Sequence, residues 1–444
     1  MDILAEALKM LRAYPLCDRC LGRQFALLGH GVSNLERGKA IKTALALQAH
    51  ADAQRGDVEA RSILETLAVN GFSKVALRVL EKIGVSLEAP PNLKCHLCGG
   101  IFQKLGEFAE KATNLLSEYE YDTFLVGVSL PADVEEREDE FRAEFRVEYG
   151  ESLRNELSRE VGKLIQEATG KAVDFRNPDI TVLVDPLRGD IRLDVKPLFI
   201  GGRYRKLVRG IPQCRWICVR CGGRGCPRCG WTGKMYAESV EELVAGPMVE
   251  CAMGDGEAFH AAGREDVDAL VLGPGRPFIV EIKNPRRRTL DLRVLEELVN
   301  RRAGGKVSIH NLYFADREAV RRLKSGERAE KIYEVVIEFD RNVTDEEVEE
   351  LKNALTGAVI RQWTPRRVLH RRADKLRERR VYEVQVERLA RNKVAMRVRC
   401  DGGLYIKELV TGDGGRTTPS VSEILGVEAK PIKLDVLDIL MEGF

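Results

Sequence analysis

The sequence predicts an α+β, multidomain protein whose C-terminal half carries a mixed, largely antiparallel sheet. Three observations lead there. Apolar residues recur at helical spacing through the first hundred positions. From about residue 235 onward, polar and apolar residues alternate in short runs rich in Val, Ile and Tyr. Four C-x-x-C pairs punctuate the chain, the spacing that turns two thiolates toward one ion. At 444 residues the chain can form two to four domains with substantial buried cores.

Taken in order, residues 1–105 read as a helical, metal-binding region. Ile3-Leu4, Leu8 and Leu11 form an apolar stripe, and Arg61 to Ile83 continues the periodicity. Leu21-Gly22-Arg23 and Gly29-His30-Gly31 read as loops around Phe25. Residues 106–210 read as α+β. A helix over Phe108–Tyr119 leads to the strand Phe124–Val128, and an amphipathic helix from Ser152 to Ala168 leads to Ile180–Val184 and then Arg192–Val195. Residues 211–234 form a basic four-cysteine loop. In residues 235–444, strands are expected at Ala269–Leu272, Phe278–Ile282, Tyr333–Phe339, Tyr382–Val386, Val394–Val398 and Ile432–Leu437. Thr344 followed by Glu347 spells a capping box. The alternation along these strands favours antiparallel pairing over a doubly wound parallel sheet.

Eight of the eleven cysteines form the pairs Cys17/Cys20, Cys95/Cys98, Cys218/Cys221 and Cys226/Cys229. Two such pairs complete a closed four-thiolate site, which holds zinc structurally and leaves no open position for catalysis. Only four residues separate the last two pairs, whereas 74 lie between Cys20 and Cys95, so an ion there would clamp the chain start to a later segment. One or two structural zinc ions are expected. Redox activity is the alternative, but redox C-x-x-C ordinarily occurs once, near a βαβ unit. Cys214, Cys251 and Cys400 read as small buried side chains.

The net charge of +2 conceals segregation. Lys196 to Tyr236 holds ten Lys or Arg and no Asp or Glu, and Arg361 to Arg380 holds nine basic residues, whereas Asp133 to Glu151 holds nine carboxylates. Basic stretches of this kind suit a polyanion such as RNA, or are plain solvated surface. No apolar run reaches the ~20 residues of a membrane helix. The segment Met1-Asp2-Ile3-Leu4-Ala5-Glu6 has no secretory n- and h-region, so a cytoplasmic location is expected.

Three strings carry chemistry. Gly263-Arg264-Glu265-Asp266 places an Asp after Gly-Arg-x, Tyr333 leads the apolar run Tyr333–Ile337, and Lys407 lies in Tyr405-Ile406-Lys407-Glu408-Leu409, read as a strand. Together they resemble the three motifs of pseudouridine synthases, which detach uracil from C1′ of a uridine in RNA and rejoin it through carbon. The resemblance implies a catalytic carboxylate at Asp266, attacking C1′ or C6 or assisting elimination at C2′, with no catalytic cofactor. It implies Tyr333 stacked on uracil and able to act on the C5 proton, Ile406 walling the base, and Lys407 holding Asp266 ionised. Arg264 would fill the space left by a flipped base or hold a phosphate. Arg286-Arg287-Arg288 and the pairs Arg366-Arg367 and Arg371-Arg372 around His370 would cradle the RNA backbone. Two rivals remain. Asp268 with Glu281-Ile282-Lys283 fits the D…E-x-K pattern of metal-dependent nucleases, and a zinc-bearing RNA-binding protein without catalysis is the other.

The resemblance narrows further. Ala262–Asp268, Gly275-Arg276-Pro277-Phe278, Thr364–Arg372, and Tyr405–Val410 with Gly412-Asp413 and Gly415-Arg416-Thr417 are similar to the tenth, archaeal and eukaryotic, class of pseudouridine synthase. Asn177-Pro178-Asp179-Ile180 resembles the THUMP module, which binds RNA, and the loop Cys218–Cys229 resembles archaeal members. The resemblance implies tRNA as partner, engaged at its T arm, with uridines 54 and 55 as targets; no obligate protein partner is evident from the sequence. It departs at Lys407, where other synthases carry Arg, exchanging a planar fork for a point charge.

Overall fold

Helices in the first third of the chain begin on side chains that satisfy otherwise free amides. Asp2 accepts from Leu4 and Ala5 ahead of α1 (Ile3–Ala13), and Ser33 caps the long α3 (Asn34–Gln54) in a full capping box with Glu36. Between them lies α2 (Asp18–Gly22), whose N-cap is Cys17, in the stretch where the sequence suggested a loop. The computed structural model describes residues 2–87, 92–325, 329–370 and 372–441, so Arg371 lies outside the described residues. The chain divides into two units, Met1–Val195 and Lys196–Phe444. No helix among the described residues is long and apolar enough to cross a membrane.

In the first unit, α4 (Val58–Val69) and α5 (Lys74–Lys82) follow α3. A Cβ on Gly22 would lie 1.9 Å from the Asn34 carbonyl oxygen, and one on Gly38 would lie 1.8 Å from that of Asp18. Only glycine permits α2 and α3 to touch backbone to backbone at these two positions. The α+β part then runs α6 (Leu105–Leu116), β1 (Thr123–Val128), α7 (Ala132–Glu144), α8 (Leu153–Thr169), β2 (Ala172–Val173), β3 (Ile180–Asp185) and β4 (Asp190–Val195). The four strands form a sheet of order β2-β1-β3-β4, in which β1 pairs parallel with β2 and β3, and β4 pairs antiparallel with β3. One apolar cluster, from Ala7 to Val195, serves helices and sheet together.

The second unit is built on one large sheet. Its elements are β5 (Leu198–Lys206), α9 (Val240–Ala252), β6 (Gly256–Ala261), β7 (Leu270–Lys283), α10 (Leu292–Arg302), β8 (Val307–Ala315), α11 (Arg317–Ser325), β9 (Lys331–Phe339), α12 (Asp345–Leu355), β10 (Val359–Gln362), β11 (Arg377–Ala390), β12 (Lys393–Cys400), α13 (Ile406–Thr411), β13 (Thr417–Thr418), α14 (Val421–Leu425) and β14 (Ala429–Ile439). The strand order is β13-β10-β11-β12-β9-β14-β7-β5-β8, with β6 beside β7. Among the described residues only β14 with β7 is parallel, giving the mixed, largely antiparallel sheet the alternation predicts. Two apolar clusters divide this unit. One gathers around β5 to β8, the other around β9 to β12, and Tyr333 packs against both.

Two expectations change here. The α+β segment does not continue to residue 210: β5 pairs with β7 and β8, so everything from Lys196 onward belongs to the second unit. The segment Ile406–Thr411 is helix, not strand. Ile406, Leu409 and Val410 are all buried, an i, i+3, i+4 stripe that only a helix turns to one side.

Candidate active site

The loop between β6 and β7 carries Asp266, and its shape is dictated from beneath. Gly263 sits at φ +86°, and a Cβ there would lie 2.8 Å from Lys331 Nζ and 3.1 Å from Arg276 Nη1. Behind it, Arg276 and Glu265 form an ion pair at 3.1 Å, with side chains 2% and 0% exposed. The Tyr204 hydroxyl donates to Glu265 at 2.8 Å, Gln213 Nε2 donates to the Gly263 carbonyl at 3.0 Å, and Arg276 Nη1 donates to the Ala262 carbonyl at 2.6 Å. Burial opposes the Arg276 charge, yet the Glu265 carboxylate holds the guanidinium above its ordinary value. The buried Lys206 ammonium donates to the carbonyls of Asp266 at 3.1 Å and Val267 at 3.0 Å. Asp266 and Val267 are thus held through their main-chain carbonyls and Glu265 through its side chain, leaving the Asp266 carboxylate free of these contacts.

That carboxylate meets two cations from distant segments. Lys407 Nζ, in the first turn of α13, lies 3.2 Å from one oxygen, and Arg367 Nη1 lies 3.3 Å from the other. Lys407 also pairs with Asp268 at 2.8 Å. Burial opposes the Asp268 charge, but hydrogen bonding and charge attraction to Lys407, with smaller help from the backbone and Lys206, together hold the carboxyl below the usual range. Arg367 is shared with the buried Glu408, whose carboxylate accepts from Nε at 2.7 Å.

A cleft of about 470 Å³ opens over these groups, lined by Arg264, Asp266, Tyr333, Arg367, Arg372, Ile406 and Lys407 among others. Seven of the residues singled out from sequence therefore share one cavity. Tyr333 enters from β9, where it pairs with Val398 of β12 and Val436 of β14. Burial pushes its phenol above the ordinary value, and among the described residues nothing hydrogen-bonds its hydroxyl. The exposed Arg264 guanidinium lies over the Trp216 ring, 5.4 Å from its centroid. Arg372 donates to the Tyr405 hydroxyl at 3.1 Å. Arg366 does not line the cleft; its amide donates to Asp413 at 3.1 Å.

Sequence reasoning missed the support beneath the cleft: Tyr204, Lys206, Gln213, Glu265 and Arg276. Glu265 and Arg276 stand inside motifs whose neighbours carry the resemblance, and a charge of each sign, one in the loop before β7 and one inside that apolar strand, was the available signal. Arg367 was read as a contact for RNA backbone, whereas here it pairs with Asp266. The nuclease pattern does not assemble: Glu281 is engaged by His260 Nε2 at 3.1 Å, while Asp268 holds Lys407.

The cysteines do assemble. The ligand atoms of Cys17, Cys20, Cys95 and Cys98 lie within 4.8 Å of one another, and so do those of Cys218, Cys221, Cys226 and Cys229. Sulfur–sulfur distances of 3.8 Å (Cys17 to Cys98) and 3.7 Å (Cys226 to Cys229) match the edge of about 3.8 Å in a tetrahedron with ~2.3 Å metal–sulfur bonds. Backbone amides of Cys20, Cys226 and Gly233 lie within 3.4 Å of ligand sulfurs, as neighbours that orient thiolates do. Both sets can hold a metal ion.

The family model described as "Pus10, C-terminal" matches residues 199–440, and that described as "Pus10 THUMP domain, archaeal" matches residues 108–185. A tRNA pseudouridine synthase Pus10 from Methanothrix thermoacetophila is 45% identical, covering 99% of this chain and 94% of its own. Its namesake from Methanopyrus kandleri is 41% identical over 100% of this chain and 99% of its own, and that from Methanocaldococcus jannaschii is 44% identical over 97% and 93%. With its C-terminal model matched over more than half its length and relatives at this identity from end to end, the chain belongs to the Pus10 family.

Proposed function

We propose that this chain isomerises uridine to pseudouridine in tRNA, at uridines 54 and 55 of the T loop, with Asp266 as the catalytic carboxylate and no organic cofactor. The observation that carries this reading is the Asp266 carboxylate held between Lys407 and Arg367 in a cleft that also presents Tyr333 and Ile406. A uracil stacked in RNA is out of reach of such a cleft, so the target nucleotide turns out of its stack to enter. The N1–C1′ bond breaks, the base rotates in place, and a C5–C1′ bond forms. The C5 proton is lost and N1 gains one. Asp266 assists departure of the base, by attack at C1′ or C6 or by taking a proton at C2′. Lys407 and Arg367 fix the carboxylate and favour its charged form. Tyr333 stacks on the uracil, and its hydroxyl faces the C5 proton. Arg264 and Arg372 meet the RNA backbone at the rim.

The two cysteine sets hold structural zinc, one ion each, closed to substrate. When bound, zinc supplies fixed geometry to its loops and no reacting group. The THUMP module and the exposed basic side chains bind the tRNA.

The test is an unmodified tRNA transcript whose pseudouridines are mapped after reaction. Asp266→Asn is expected to abolish product while tRNA affinity stays within about threefold, because the carboxylate acts in chemistry more than in docking. Retained activity in that variant overturns the assignment, and Mg²⁺-dependent strand cleavage lost in Glu281→Ala would restore the nuclease.

A further inference from the structure

The loop that carries Cys218, Cys221, Cys226 and Cys229 exposes apolar side chains that a folded segment ordinarily hides. Trp231 is 73% exposed, Val219 80% and Ile217 56%. Trp231 also sits at φ +65°, a left-handed backbone that a bulky side chain enters only at a cost. No ring or cation among the described residues stacks on its indole. Neither packing nor local conformation gains from tryptophan at this position.

The surrounding charges sort into two groups. Lys206 is spent on carbonyls, Arg209 pairs with Asp435 at 2.6 Å, Arg215 with Glu257 at 3.0 Å and Lys234 with Glu242 at 2.7 Å. Arg220, Arg224 and Arg228 are exposed and pair with no carboxylate among the described residues. These three precede the exposed tryptophan on the same loop. The loop is rooted at the cleft: Met235 N donates to the Trp216 carbonyl at 2.8 Å, Ile217 bridges to Lys234, and Trp216 lines the cavity above Asp266.

We infer that this loop is a second RNA-contact surface, in which Trp231 stacks on an unpaired base near the one in the cleft and Arg220, Arg224 and Arg228 hold the phosphates of that single-stranded segment. It rests on the reading of the cleft as an RNA-modifying site. Three exposed guanidiniums with no carboxylate partner among the described residues favour a polyanion over a protein. An exposed indole requires a base with an open face, which duplex RNA does not offer.

Binding of an unmodified tRNA transcript, and of a short oligouridylate, is measured by fluorescence anisotropy. Trp231→Ala and Trp231→Asn are expected to weaken both about tenfold, the loss of one base–aromatic stack, and Trp231→Phe to stay within about threefold. For modification, KM rises with little change in kcat. Trp231→Asn should keep or raise the melting temperature, because Asn tolerates the left-handed backbone, so lost affinity is not lost fold. Replacing the three arginines by Ala should flatten the slope of log affinity against log salt by about 2. Unchanged tRNA affinity in Trp231→Ala overturns the inference, as does a loss that tracks metal release. Lost self-association with RNA binding intact overturns it in favour of a protein interface. If wild type makes no pseudouridine yet these variants still lose RNA affinity, the catalytic reading fails and the surface stands.

Discussion

Arg276→Met removes the cation from a pair that the fold has taken out of water. Arg276 is 1% exposed and Glu265 6%, and the carboxylate keeps two neutral donors, Tyr204 at 2.8 Å and Gln213 Nε2 at 3.2 Å. Breaking a buried pair from one side costs about 3–5 kcal/mol, because the other charge stays behind unpaired. The second unit comprises residues 196–444, a size at which 1 kcal/mol moves the melting temperature by about 2–4 °C. Its transition should therefore fall by roughly 6–20 °C. Calorimetry of the whole chain reads this directly, with the first unit's transition as internal reference. Pairing Arg276→Met with Glu265→Leu should recover much of the loss, since an apolar pair of similar volume is often neutral. A fall under about 3 °C, the behaviour of a surface ion pair, would refute the claim that this pair shapes the Asp266 loop.

Tyr333→Phe keeps the ring and removes a hydroxyl that no described residue hydrogen-bonds, so tRNA affinity should hold while single-turnover rate drops at least ~100-fold, the scale of acid–base catalysis. A rate near wild type would confine Tyr333 to stacking. Cys20→Ser should cut bound zinc from about two per chain to one and lower the first unit's melting temperature more than catalysis per folded molecule, as read by metal analysis and calorimetry. Hydrogen bonding to Arg341, and then to the Thr344 amide, holds the Glu347 carboxyl down at about 2. Being depressed, it contributes stability that is fully present above the unfolded value of about 4.3 and is lost as pH falls through the folded one. Glu347→Gln should melt below wild type at neutral pH, and the gap should close toward pH 2.

Strands whose two faces differ were legible. β9 and β12 alternate over most of their length because one side meets a core cluster and the other does not, and the runs beginning at Tyr333 and Val394 show it, whereas β14 is interrupted by two register shifts and buries Asp435 and Val436 in succession. β5 was not legible, because it is buried on both sides while carrying Arg203 and Lys206. Their charges are absorbed by carbonyls, three of them around the Lys206 ammonium, and nothing in composition distinguishes an ammonium so satisfied from one in solvent. The same blindness inflated the basic stretch 196–236. Its lack of acid is a fact of sequence, but Asp435, Glu242 and Glu257 reach it through space. Asp266, Tyr333, Ile406 and Lys407 were found by motif. The helix beneath Lys407 was misjudged because Ile406 and Val410 are β-branched, a preference that tertiary packing overrode. The partnership of Arg367 with Asp266 joins residues 101 positions apart and was beyond any local pattern.

The last strand in the chain stands in the middle of the sheet. Among the described residues β14 alone joins β7 to β9, so Asp266 belongs to one half of the sheet and Tyr333, Arg367 and Lys407 to the other until residues 429–439 insert between them. During synthesis these groups therefore stay on separate half-sheets until β14 has been made. At ~5–20 residues per second the first half waits several seconds for its counterpart, edges open, before any uridine can be handled. Chains stopped short of β14 should be inert rather than weakly active. Insertion of β14 is the step that brings these groups together.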